Sequence, residues 1–261
     1  VRKRLTSIFV LGATLAVACA GIAGAYKPMT IVPLGEPLLE LTGGFKPTKL
    51  PKSKLAPIHL NVEGTIGTPD GKHPPALQEI ILETDRNMAI DAKGLPSCAA
   101  GKIVGPDVVP PSRGGCKAAR IGKGELEFEV EFAEGGGPFI TKGHAIVFNG
   151  GVEDGVTTLI VFAHLSNPVF GAIVSPIEVS KIHHGPYGTR WTTTIPEVAG
   201  GSGSLKEFKL ELFRTFSYKG RKQSYLRARC PIGKLQTAWN ATFADGSGFA
   251  GQFVRPCTPR R

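Results

Sequence analysis

Long apolar runs are missing from this chain of 261 residues. The one pronounced run, Leu5 to Ala18, has 14 residues, short of the roughly 20 that a helix needs to cross a bilayer, so no transmembrane span is expected in the mature chain. Tryptophan and methionine occur only twice each. Helical periodicity is missing too: no window repeats apolar residues at i, i+3, i+4 and i+7, which argues against a helical fold. The chemical motifs are equally thin. There is no H-x-H or H-E-x-x-H spacing for zinc, no G-x-S-x-G around a serine and no lysine after a glycine-rich loop, so zincin, nucleophile-elbow and P-loop chemistry have no carrier.

The start of the chain carries a clear signal. Val1-Arg2-Lys3-Arg4 is basic, Leu5 to Ala18 is apolar, and Ala23-Gly24-Ala25 offers a small-residue cleavage site. Residues 1–25 therefore read as a secretory signal peptide, with acylation at Cys19 and a lipoprotein anchor as the competing reading. Cys19 lies within that leader, and Cys98, Cys116, Cys230 and Cys257 remain. Export and an even cysteine count together point to disulfides. Four cysteines allow three pairings; the sequential one is favoured because Cys98 to Cys116 encloses a Gly- and Pro-rich segment that packs little core of its own.

The chain's formal charge of +10 falls to +7 without the three basic leader residues. Such a surface suits anionic cell-envelope polymers. The basic residues are scattered and no recognition motif accompanies them, so nucleic acid is not an expected partner. Residues 26–57 hold prolines at 28, 33, 37, 47, 51 and 57 and the lysines Lys46, Lys49, Lys52 and Lys54. They read as a stiff Pro/Lys-rich linker or arm, an electrostatic tether to the envelope.

From residue 58 the hydrophobic period is two. In Glu125 to Phe132 four glutamates (Glu125, Glu127, Glu129 and Glu131) alternate with Leu126, Phe128, Val130 and Phe132, giving one wet and one core face. Gly122 and Gly124 before it, and Gly135-Gly136-Gly137-Pro138 after it, read as turn-formers. Further strands are expected at 58–66, 77–84, 144–148, 157–165, 171–182, 189–195, 205–218, 235–243 and 248–254, the last two joined by a hairpin at Ala244-Asp245-Gly246-Ser247. The expectation is an all-β, single-domain antiparallel β-sandwich or jelly-roll-like fold over 58–261, with two disulfides.

Gly94-Leu95-Pro96-Ser97-Cys98, Cys116, Ile121 to Glu125, Phe148-Asn149-Gly150, Pro186-Tyr187-Gly188-Thr189, Ser224-Tyr225-Leu226 and Cys230-Pro231 follow one another in this order. The pattern resembles a family of uncharacterised exported actinobacterial proteins, over roughly residues 77–257. The resemblance implies export and two disulfides, and brings no reaction with it.

Candidate sites are few. Trp191 and Trp239, with Tyr187, Tyr218 and Tyr225, are able to stack on a sugar or small ligand, or else pack the core. His183 and His184 precede Gly185-Pro186; with His144, His164 or Asp154 they would make a metal site only if the backbone converged them, and the expectation is no metal and no cofactor. The glutamate row is the outward face of a strand matched by lysine or arginine on a neighbour. The function expected is an exported, non-catalytic β domain associated with the cell surface. The alternatives are a carbohydrate or small-ligand binding module, and a hydrolase in which His144, His164, Asp154 and His183 would share a pocket.

Overall fold

The computed structural model describes residues 38–103 and 116–260, apart from 133, 136, 167 and 169. The leader and residues 26–37 lie outside them. The strands in chain order are β1 (Leu38–Lys46), β2 (Lys49–Pro51), β3 (Ala56–Pro57), β4 (His59–Gly67), β5 (Leu77–Asp85), β6 (Met88–Ile90), β7 (Arg120–Val130), β8 (Phe139–Glu153) and β9 (Val156–Ser166). They continue with β10 (Gly171–His184), β11 (Tyr187–Thr194), β12 (Gly203–Leu212), β13 (Thr215–Tyr218), β14 (Arg221–Ser224), β15 (Leu226–Ala228), β16 (Lys234–Phe243), β17 (Gly248–Pro256) and β18 (Thr258–Arg260).

Eleven of these form one antiparallel sheet in the order β1-β4-β12-β7-β8-β9-β10-β11-β5-β16-β17. The sheet curls until it is nearly closed into a barrel, so the two layers of a sandwich are here opposite walls of one sheet. Alternation decides what faces inward. Leu39, Leu41 and Phe45 of β1, Phe128 and Val130 of β7, Leu159 to Leu165 at odd positions of β9, and Leu235, Trp239 and Phe243 of β16 are all buried. The charged partners of these strands face out.

An all-antiparallel sheet of eleven strands brings its first and last strands together running in the same direction. The ladder that holds every other pair therefore does not continue between β1 and β17. Instead the chain beyond each makes the junction: β2 and β18 pair in parallel, Thr258 opposite Lys49 and Arg260 opposite Pro51. The rest of the seam is bridged by a side chain, Arg255, which donates from Nε to the Gly43 carbonyl and from Nη2 to the Thr42 hydroxyl.

Short strands close one end. β3, β15 and β6 make a three-stranded sheet, and Leu50, Ile58, Leu226 and the fully buried Tyr225 pack with Phe45, Val161, Trp191, Leu212 and Leu235 of the interior. Among the described residues the Tyr225 hydroxyl has no hydrogen-bond partner, and burial pushes its pKa upward. A second layer, built on Phe128, Phe208, Trp239, Phe243 and Phe249, fills the other half of the interior.

Both expected disulfides are present, Cys98–Cys116 and Cys230–Cys257, with Cα–Cα distances of 5.2 and 6.1 Å. The first holds a flap on the outer wall: Cys98, Ile103, Cys116 and Ala119 cover Phe148, Ile160 and Phe162. That cover explains why β9 reads as a continuous apolar run and not an alternating one, since both its faces are buried. The Asp245-Gly246 hairpin also forms. Gly246 takes φ +83°, and the Ser247 amide and hydroxyl both donate to Asp245 Oδ1, which lowers the pKa of that carboxyl.

Four sequence expectations are corrected. Residues 38–57 are not an arm: β1 is paired along its whole length with β4, Leu38 opposite Gly67 through Lys46 opposite His59, because Leu39, Leu41 and Phe45 supply a buried face. Gly122 and Gly124 lie inside β7, not in a turn before it. Leu205–Tyr218 is two strands: at Phe213, whose amide donates to the Ile121 carbonyl, the chain leaves the sheet and β13 pairs with β14. Phe132, expected in the core, follows the end of β7 and is 47 % exposed. Among the described residues no helix is long and apolar enough to cross a membrane.

Candidate ligand site inside the barrel

The barrel interior holds a partly open cavity of about 150 Å³. Leu41, Leu60 and Val62 line it from one side of the seam, Val147, Leu159, Val161 and Trp191 from the opposite wall, and Leu235 and Phe253 from the other side of the seam. The Thr84, Ser175 and Thr193 hydroxyls in this wall are hydrogen-bonded within the protein. Ser175 Oγ is 2.9 Å from both Thr193 Oγ1 and the Thr194 carbonyl, and Thr84 shares a 2.6 Å hydrogen bond with Thr189. Trp191 Nε1 donates to Thr189 at 3.1 Å. With these hydroxyls paired, the wall presents mostly hydrocarbon and aromatic surface to the cavity.

One charged side chain reaches this space among the described lining residues: Arg255. It stands on the inward-facing parity of β17 with Phe249, Gly251 and Phe253, opposite Leu235 of β16. Its guanidinium lies 5.5 Å from the Phe253 ring centre.

Of the residues singled out from the sequence, Trp191 lines the cavity and Trp239 packs the layer beyond it; both are buried, at 6 % and 5 % exposure, so neither ring offers an open face to a sugar. His183 and His184 end β10 and face solvent. His184 Nδ1 stands 3.4 Å from Glu83 Oε2, and Arg190 binds the other oxygen of that carboxylate at 2.6 Å. The Arg190 hydrogen bond, helped by His184 and opposed by burial, holds the Glu83 carboxyl below its ordinary pKa. Tyr187 lies beside His184 with the rings tilted by 41° and their centres 6.4 Å apart. Its phenol is pushed up by burial and by the nearby Glu83 and Asp85.

His144 and His164 sit opposite one another in the β8/β9 ladder, and Asp154 occupies the β8–β9 turn at φ +48°. Among the described residues no three His, Cys, Asp or Glu side chains are grouped to hold a metal. Two members of the glutamate row are paired with lysines on neighbouring strands, Glu127 with Lys142 at 2.8 Å and Glu129 with Lys206 at 3.2 Å. Lys46, Lys49, Lys52 and Lys54 are all exposed, on the end of β1 and the segment that follows it.

One constellation escaped the sequence reading. Ser204 Oγ lies 3.0 Å from His73 Nε2, and His73 Nδ1 lies 3.0 Å from Glu129 Oε1, the connectivity of a serine-hydrolase triad. The hydrogen bonding runs against that use. Ser204 is 1 % exposed and donates its one proton to the Pro74 carbonyl at 2.6 Å, so that proton is not directed at the imidazole as a serine nucleophile's would be. The group ties the connection between β4 and β5 to the outer wall. Only the cross-strand pairing of Ser204 with Glu129 foreshadows it, and spacing of 131 and 56 residues from His73 hides it in sequence.

The fold and site thus define an antiparallel β-barrel with an apolar interior and a charged outer wall, the reverse of a water-filled membrane barrel. Comparison with family models, with curated proteins and with solved structures finds no match for the chain.

Proposed function

We propose that this chain is an exported, non-catalytic barrel that holds a small apolar molecule in its interior at the cell envelope. The observation that carries the reading is the cavity itself. A dry cavity of about 150 Å³ lined by Leu, Ile and Phe is enough to bind benzene in another protein, and the present wall has the same chemistry. A sugar would leave its hydroxyls without partners against this wall, which disfavours the carbohydrate alternative. Two disulfides agree with an oxidising compartment.

Benzene is the first probe. At ten times its dissociation constant it should stabilise the fold by about 1.4 kcal/mol, a rise in Tm of about 4 °C. Val161→Phe, which fills the space from β9, should fold and lose that rise. A wild-type protein whose Tm ignores benzene would rule the interior out as a binding site.

Association with the envelope rests on the four exposed lysines, now placed on the folded domain. Removing residues 26–57 would delete β1, so the informative variant is Lys46, Lys49, Lys52 and Lys54 all changed to Gln. Wild type should be retained on cell-wall fragments at low salt and released as salt rises; the variant should wash through at every salt. Equal retention of both would remove the lysines as a tether.

A further inference from the structure

Charge is divided between the two ends of this barrel. Because neighbouring strands of the large sheet run in opposite directions, the connections fall at one end or the other. The end reached by 47–58, 86–103, 116–119, 154–155, 185–186, 213–233 and 257–260 carries fourteen lysines and arginines in these stretches against two carboxylates, Asp91 and Asp154. Asp91 is paired with Arg227 at 2.9 Å. The described residues of 68–76, 131–138, 167–170, 195–202 and 244–247, at the other end, carry five carboxylates and one lysine. A ten-residue strand such as β16, tilted as barrel strands are, sets the two ends about 25 Å apart. That is more than two Debye lengths at 0.1 M salt, so each end acts as a separate field.

At the basic end apolar side chains also stand out beside the charges. Ile232 is 68 % exposed and Leu55 38 %. Hydrogen bonds hold their segments together: the Cys230 amide donates to the Pro51 carbonyl at 2.8 Å, the Lys52 amide to the Arg260 carbonyl at 3.2 Å, and Arg229 to the Ser53 carbonyl at 3.3 Å. The exposed Lys49, Lys52, Lys54 and Arg260 thus lie on segments adjoining Ile232 and Leu55. The β13–β14 hairpin, at the same end, exposes Lys219, Arg221 and Lys222 at its turn.

A single polyanion strand is followed by a basic groove, whereas these charges come from several connections spread around one rim. A rim of that kind matches a flat array of anionic headgroups, and aliphatic side chains set among lysines add the apolar contact of interfacial binding. Resting on the envelope association proposed above, we infer that the basic end is a docking face for an anionic lipid bilayer. The barrel stands on end, its lysines and arginines at the headgroups, Ile232 and Leu55 dipping between them, and its acidic end turned away.

Co-sedimentation of the disulfide-intact protein with vesicles tests this, using phosphatidylcholine alone and phosphatidylcholine with one-third phosphatidylglycerol, and soluble polyphosphate as the polymer arm. Wild type should bind the anionic vesicles at least tenfold more tightly than the neutral ones, and salt should release it. Changing Lys219, Arg221 and Lys222 together to Gln should weaken that binding at least tenfold, although Lys46, Lys49, Lys52 and Lys54 are intact. Ile232→Ser should weaken vesicle binding at least threefold and leave polyphosphate binding within twofold. Glu131→Gln with Glu134→Gln raises the net charge at the far end and should leave vesicle binding within twofold; a larger gain would show that net charge decides and overturn the docking face. Vesicle binding unchanged in the hairpin variant, or in Ile232→Ser, would overturn it as well. Should a variant not fold, wild type still decides: binding to polyphosphate without binding to anionic vesicles removes the bilayer and leaves the lysine tether standing, and binding to neither removes both.

Discussion

Replacing Cys230 and Cys257 together by alanine should lower Tm by about 10 °C, the larger of the two disulfide losses. The bridge spans 27 residues, for which limiting the unfolded chain contributes about 3.5 kcal/mol, and a kilocalorie corresponds to about 3 °C in a domain of this size. Position raises the stake. Cys230 is fully buried beside β15, and Cys257 joins β17 to β18, so the bridge fixes the β16–β17 hairpin at the strand that must meet β1. Cys230 also receives support from its neighbours, its amide donating to the Pro51 carbonyl at 2.8 Å and the Cys257 amide to the Gly233 carbonyl at 2.9 Å. With the bridge gone, β2/β18 is held by a three-residue parallel pairing alone, and the seam should open before the rest of the barrel melts. Calorimetry of the double variant checks the size, and amide exchange should show β17 and β18 losing protection first. A fall of 2 °C or less would mean that the hairpin is held by packing and that the bridge adds little.

Much of the barrel was legible. Most of the ten expected strands follow from a period of two, β9 with both faces buried being an exception, and their observed limits differ from the expected ones chiefly by extension into flanking glycines and polar residues. β1 was also present in the pattern, as Leu39, Leu41 and Phe45 at alternate positions, but Gly43-Gly44 and the surrounding prolines and lysines gave the same stretch the composition of a linker. Composition was the weaker signal there, because prolines at 37 and 47 bracket the strand and do not interrupt it. What alternation cannot supply is strand order. β5 lies between β11 and β16, more than a hundred residues further along the chain, and without that insertion the sheet does not close and no cavity exists. The interior site was therefore hidden even though its residues were known to face inward. Arg255 illustrates the same limit: its parity with Phe249 and Phe253 says inward, while its charge at a strand end says solvent. Only the closure decides between them. Trp191 was singled out for its ring, and the ring does line the cavity; the role lies in the wall, with its indole nitrogen bound to Thr189, and not in an open platform.

Gly122 carries the second large expectation, and it corrects the reading of β7. Glycine before an alternating run suggests a turn, yet Gly122 and Gly124 are paired within the ladder, opposite Leu212 and Leu210 of β12. The reason is proximity. A Cβ on Gly122 would lie 2.2 Å from the Glu211 carbonyl oxygen and 2.7 Å from Leu212 Cδ2, and one on Gly124 would lie 2.4 Å from the Lys209 carbonyl oxygen. A rotamer change cannot relieve a collision with a backbone oxygen, so either β7 and β12 separate locally or the strand twists away and gives up ladder hydrogen bonds. Gly122→Val should therefore cost at least about 3 kcal/mol, lowering the denaturation midpoint without changing the slope. Gly67 supplies the control: it ends β4, and a Cβ there meets nothing within 4 Å, so Gly67→Ala should shift stability by less than about 0.5 kcal/mol. If Gly122→Val unfolds at the wild-type midpoint, the close approach of β7 to β12 is wrong, and the curvature that brings β1 round to β17 must come from elsewhere in the sheet.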